Sequence, residues 1–239
     1  MIERDKRKFP VKFRFGTISE YAYRKRMLGR LHRIGRTKMP YRGKVDSKGL
    51  VKIMKEIEYG RAMEYLNGDK KRKLMCVLGK SGTGKTLGTL HLKNKLGANV
   101  ICSFTSRKPR RTEVEGREHH FIDIMPADED VLAKSKIGDI WYYALTCQVW
   151  GDCTVYAVDE KGLQYIRENH SDKFDIYTVW IERSLELRRQ DGVTEERTCR
   201  DSARVYLPMD SFDYIVKNDG LKSPFFKQLE KIYNEIKNK

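Results

Sequence analysis

The chain has 239 residues, 39% of them hydrophobic, with 49 Lys and Arg against 33 Asp and Glu and a formal net charge of +16. That length holds one ordinary domain plus an extension, or two small domains, and no apolar run approaches the ~20 residues of a membrane span. Residues 1–15 are too charged for a secretory signal, and five cysteines without C-x-x-C or Cys/His pairs at metal spacing argue for a reducing, cytoplasmic setting without structural zinc.

The positive charge is unevenly spread. Residues 1–73 carry 23 Lys and Arg against 8 Asp and Glu, a net +15, whereas the rest of the chain is almost balanced. A boundary is therefore expected near residue 70, separating a basic N-terminal extension (1–73) from a second unit (74–239). Within residues 1–45, Phe13, Phe15, Tyr21 and Tyr23 interleave with Arg and Lys, a composition suited to phosphate backbones and stacked bases. The same composition also suits a solvated arm. Leu50, Ile53, Met54, Ile57, Ala62 and Leu66 recur at helical spacing and predict a helix over 47–66.

Residues 74–78 form a short apolar run, the pattern of a buried strand. Gly79 to Thr86 follows at once and fits G-x-x-x-x-G-K-[ST], the pattern of a phosphate-binding P-loop. Gly79, Gly82 and Gly84 let the backbone N–H groups of Ser81, Thr83 and their neighbours curl round a polyphosphate. Lys85 adds a point charge on its outer phosphates, and Thr86 offers a hydroxyl to Mg²⁺ at the start of the next helix. ATP and Mg²⁺ are the implied cofactors.

From there helices and strands alternate, as in a parallel sheet with crossover helices. A helix over 87–96, closed by Gly97, leads to a strand over 99–104. Further strands are expected at 137–146, 154–159 and 174–181, with a helix at 160–169 and a charged helical stretch at 184–206. A last strand and turn at 212–219 precede a C-terminal helix at 223–238.

With the P-loop and the stretch 103–121 both in hand, residues 74–239 resemble the guanylate kinase family, which phosphorylates a nucleoside monophosphate from ATP. Ser103, Thr105, Arg107, Pro109, Arg110, Glu113, Gly116 and Phe121 match the family's S-x-T-T-R-x-P-R-x-x-E-x-x-G-x-x-Y-x-F loop. The resemblance implies an α/β P-loop fold of three layers, with a parallel central sheet, a small acceptor-binding insertion and a helical lid. It implies that Ser103, Arg107, Arg110 and His119 hold the acceptor phosphate, with His119 standing where the family has tyrosine. It places Asp159 near the metal, Asn218 beside the adenine, and the lid arginines Arg188, Arg189, Arg197, Arg200 and Arg204 over the transferring group. Arg188, Arg189 and Arg200 are expected to act with Lys85 in catalysis.

Between Ile140 and Asp159 the chain departs from the family. About a dozen residues of a G-x-Y-G-[ST] turn and helix are missing, and Trp141 or Tyr142 stands near the place of the carboxylate that reads guanine. An indole cannot accept the N–H groups of guanine, which leaves the acceptor base open. Two alternatives also stay open. One is a guanylate-kinase-like module that binds nucleotide or nucleic acid and transfers nothing; the other is a kinase acting on a polynucleotide end, clamped by the basic extension.

Overall fold

The computed structural model describes residues 71–110, 113–121, 131–204 and 206–239. The helix expected over 47–66 and the nucleic-acid reading of 1–45 lie outside them. The described elements begin with β1 (Arg72–Leu78), α1 (Lys85–Leu96), β2 (Asn99–Val100), β3 (Ser103–Thr105), β4 (His119–Phe121), β5 (Val131–Ile137) and β6 (Ile140–Leu145). They continue with β7 (Cys153–Ala157), α2 (Glu160–His170), β8 (Phe174–Glu182), α3 (Leu185–Gln190), α4 (Glu195–Ser202), β9 (Tyr214–Lys217) and α5 (Lys222–Asn238).

Five strands form the central sheet in the order β2-β7-β1-β8-β9, and every pairing is parallel. A parallel strand in the middle of such a sheet is covered on both faces, which is why β1 reads as an unbroken apolar run. Leu74, Cys76 and Leu78 pack with Leu163 and Ile166 of α2. Met75 and Val77 face the other way, toward Leu92 of α1 and Phe225, Leu229 and Ile236 of α5. The three-layer arrangement follows from that alternation. Because β1 sits between β7 and β8, the loop after it opens where the strand order reverses, the usual position of a ligand crevice in an open α/β sheet.

A second sheet, β4-β3-β6-β5, carries the stretch 103–121. Here the structure corrects three sequence expectations. The strand expected over 99–104 is two short strands, β2 in the central sheet and β3 in the small one. The strand expected over 137–146 is the second arm of a hairpin whose first arm, β5, alternates too weakly to be read as a strand. The helical stretch over 184–206 breaks into α3 and α4 at Gly192, whose φ of +86° no β-carbon-bearing residue adopts readily.

After β6 the chain makes a single 3₁₀ turn, Thr146–Gln148, before β7. Side-chain amides brace it. Gln148 accepts from the Leu145 N–H at 2.9 Å and donates to Cys102 O at 2.9 Å. Asn99 donates to Gln148 O at 2.8 Å and to Thr154 Oγ1 at 2.9 Å. These bonds satisfy backbone groups where the chain passes from one sheet to the other.

Candidate active site

The loop from Gly79 to Thr86 joins β1 to α1, and its glycines are required by geometry. Gly79 and Gly84 have φ of +147° and +99°, and a β-carbon on them would meet Ile181 O and Asn218 Nδ2 at 2.6 Å. Asn218 donates to Thr83 O at 2.8 Å and is buried, so its side chain braces the loop. Its carbonyl accepts from Arg183. The Lys85 ammonium donates to Gly79 O at 2.7 Å and Lys80 O at 2.9 Å. Although the residue as a whole is only half-covered, its ammonium is enclosed, and burial together with the nearby Arg204 charge lowers its pKa to about 8. Thr86 is exposed in the first turn of α1.

The lid is tied to this loop by a residue the sequence did not single out. Asp201, near the end of α4, accepts from the Ser81 N–H at 2.8 Å and the Ser81 hydroxyl at 2.9 Å. Arg188 donates to the same carboxylate and to Ser81 O, both at 3.1 Å. Both side chains of the pair are 5% exposed. Val193 presses on the loop as well, since a β-carbon at Gly82 would lie 2.2 Å from its Cγ2. An aspartate next to a surface arginine, Arg200, is unremarkable in sequence; only the fold makes it an anchor.

The lid arginines therefore separate by position. Arg188 is enclosed between Asp201 and the loop. Arg189 pairs with Glu195 at 3.0 Å and Arg200 with Glu196 at 3.8 Å, both on the surface. Arg197 is half-buried, and its pKa is lowered by burial and by the Arg110 charge. Arg204 pairs with Glu160 of α2, lies 3.7 Å from Asp201, and lines the central cavity.

On the small sheet, Ser103 of β3 and His119 of β4 are register partners in a parallel pair, with Oγ and Nδ1 2.8 Å apart. Arg107 grips Glu113 with both terminal nitrogens, at 2.6 and 2.8 Å, and donates its Nε–H to Tyr142 OH at 3.1 Å. A further bond to Lys108 O leaves one of its five N–H groups. Arg110 adds its backbone N–H and Nη1 to the same Glu113 carboxylate. Burial works against that charge, but the hydrogen bonds from Arg107 and Arg110 win and hold Glu113 down to about 2. Of the two aromatics near the base-reading position, Tyr142 lines the cavity. Trp141 lies on the hairpin beneath the Lys136 ammonium, 5.5 Å from its ring centre.

Lys85, Ser103, His119, Tyr142, Asp159 and Arg204 all open on one cavity of about 180 Å³. Asp159 caps α2 by accepting from the Gly162 N–H at 2.7 Å through one carboxylate oxygen. Among the described residues no cluster of three or more His, Cys, Asp or Glu could hold a metal ion unaided. The oxygen donors of Thr86 and Asp159 suit Mg²⁺ that arrives with a nucleotide, since that ion keeps most of its shell as water and phosphate. No described helix is long and apolar enough to cross a membrane.

No protein-family model matches the sequence. Among curated proteins, the chain is 32% identical over 181 residues to a guanylate kinase of Nitrobacter winogradskyi, covering 66% of this chain and 81% of that one. It is 30% identical over 181 residues to a guanylate kinase of Rhodopseudomonas palustris, covering 67% and 81%. Among solved structures, a guanylate kinase from Anaplasma phagocytophilum shares 17% identity at a TM-score of 0.46, covering 71% of this chain and 87% of that one. With identity at that level across four-fifths of the Nitrobacter relative, this chain belongs to the guanylate kinase family.

Proposed function

We propose that the protein transfers a phosphoryl group from ATP to a nucleoside monophosphate, with Mg²⁺ accompanying the nucleotide. The observation that carries this reading is the shared cavity, which is lined both by the P-loop lysine, Lys85, and by the Ser103–His119 pair. A donor phosphate on the P-loop and an acceptor phosphate on that pair would meet across one small space. Positioning and charge neutralisation then supply the rate, with no general base or covalent intermediate required.

In this reading Lys85 and the loop N–H groups from Gly79 to Thr86 bind the donor phosphates, and Asn218 holds the loop in shape for them. Thr86 and Asp159 would hold Mg²⁺, which neutralises phosphate charge when bound. Ser103, Arg107, Arg110 and His119 bind the acceptor phosphate, with Glu113 fixing the direction of both guanidinium groups. Arg204 reaches the transferring group more directly than Arg188, Arg189 or Arg200, because it lines the cavity, and Arg197 stands within range of the Arg110 charge. Neither alternative reading draws support from the relatives.

The test is an ADP-release assay against a panel of nucleoside monophosphates. Release with no member of the panel overturns the proposal. A sharper expectation concerns Arg107→Ala, which should lower kcat/KM for the acceptor by about 2 kcal/mol or more through loss of a charge-assisted contact. The KM for ATP should hardly move. Equal losses for both substrates would show that the loop is not a separate acceptor site.

The proposal extends to residues 1–45, whose basic and aromatic composition suits nucleic acid. Oligonucleotide affinity should then fall steeply with salt, with a log–log slope of roughly −0.7 per phosphate contact on a single strand. Removing residues 1–69 should abolish it. Equal, weak binding by the full chain and the shortened one at physiological salt rules this part out.

A further inference from the structure

His119 lines a pocket in which Lys85, Ser103, Tyr142 and Arg204 offer hydrogen-bond donors and positive charge, beside the Asp159 carboxylate and an apolar wall that includes Ala133 and Val158. Ser103 of β3 touches its Nδ1, and Tyr142 of β6 and Phe121 of β4 meet its ring edgewise at 5.7 and 5.9 Å between centres. Arg107, Arg110, Glu113 and Glu118 are the charges nearest to it, and Lys85, Asp159 and Arg204 line the same cavity. Glu113 is committed to the two arginines. Glu118 is engaged by Arg117 at 2.6 Å and by the Val114 N–H at 2.9 Å. Each carboxylate near the ring already serves another donor.

A neutral imidazole has one N–H and one bare acceptor nitrogen. If Nδ1 is the acceptor, it takes the only proton of the Ser103 hydroxyl, which then cannot point at a phosphate. If Nδ1 carries the proton, Ser103 is released, but Nε2 presents a lone pair in a pocket meant for an anion. Only the imidazolium serves both needs, donating through Nδ1 to Ser103 and keeping Nε2–H as a second donor. A tyrosine at this position, as in the family pattern, has no such choice to make. We propose that binding of an acceptor phosphate in this pocket is coupled to uptake of one proton by His119, which holds the phosphate as an imidazolium.

The proton comes from solvent and forms one N–H bond on the ring; no other bond is made or broken. In the free protein, burial and then the Arg107 charge push the His119 pKa down to about 4, so the ring is neutral at physiological pH. A phosphate monoester, a dianion above its second pKa near 6, supplies the opposite charge that reverses this. The inference rests on the proposed function, because it needs a monophosphate to enter the pocket.

Calorimetric titration of the full chain with guanosine, adenosine, uridine and cytidine 5′-monophosphates, in buffers of low and high ionisation enthalpy, measures the protons taken up. At pH 7 the parent should take up roughly half a proton more than His119→Tyr, as a site titrating near neutrality does. The KM of the acceptor for the parent should rise, relative to His119→Tyr, by up to tenfold per pH unit as pH climbs from the free-state pKa toward neutrality, the limit for one linked proton, and level off above it. Comparing the two proteins cancels the contribution of Lys85, present in both. Binding by both with equal proton uptake overturns the coupling alone. Failure of all four monophosphates to bind overturns the coupling and the acceptor reading together.

Discussion

Lys85→Ala should abolish phosphoryl transfer while leaving the protein folded. If Lys85 serves the transferring group as proposed, loss of its charge costs about 10²–10³-fold or more in kcat, the scale seen for a single donor that stabilises developing charge. Stability should change little. The ammonium is held against its own desolvation, as its lowered pKa shows, so its removal relieves one cost while losing two hydrogen bonds. Those two bonds end on Gly79 O and Lys80 O, beside a cavity where water can replace the donor. An ADP-release assay and a thermal melt on the same preparation check both halves. Turnover at the parent rate would mean that the P-loop does not handle the donor phosphates.

Arg188→Ala should act in the opposite way, through stability first. It leaves Asp201 with a carboxylate that is 5% exposed and has lost its closest cation. Breaking a buried pair from one side costs about 3–5 kcal/mol, a large share of the 5–15 kcal/mol that holds a domain together. The low end is expected, because Ser81 still donates twice to Asp201 and Arg204 stands 3.7 Å away. Replacing both partners by apolar residues, Arg188→Met with Asp201→Leu, should recover only part of the loss, since neither charge is then stranded but the Ser81 N–H and hydroxyl lose their acceptor. By contrast Arg189→Ala and Arg200→Ala remove surface pairs and should each change stability by under about 1 kcal/mol. Urea unfolding of the four proteins measures this. A variant Arg188→Ala as stable as the parent but deficient in kcat would instead make Arg188 a residue that touches the transferring phosphoryl group.

The contrast between these two residues reflects what sequence can and cannot carry. The P-loop was legible because a phosphate cradle is a local object. Its glycine spacing encodes backbone dihedrals within eight residues, and the apolar run before it encodes a strand covered on both faces. The 103–121 stretch was legible as a local unit for the same reason, with Ser103 and His119 paired across β3 and β4 and Arg107 and Arg110 gathered on Glu113. The order of the main helices and strands followed from periodicity.

Other features needed the chain to close on itself. Five arginines between 188 and 204 look alike in sequence, yet Asp201 encloses one, Glu160 brings another to the cavity, and Glu195 and Glu196 keep two on the surface. The change of sheet between β2 and β3 falls at Ile101 and Cys102, with no glycine or proline to mark it. The hairpin arm β5 carries Lys134, Ser135 and Lys136 in succession, so its alternation is lost until β6 pairs with it. A motif fixes local backbone geometry, and so it survives in the sequence. The electrostatic role of a single side chain depends on partners brought from many residues away, and only the tertiary structure chooses them.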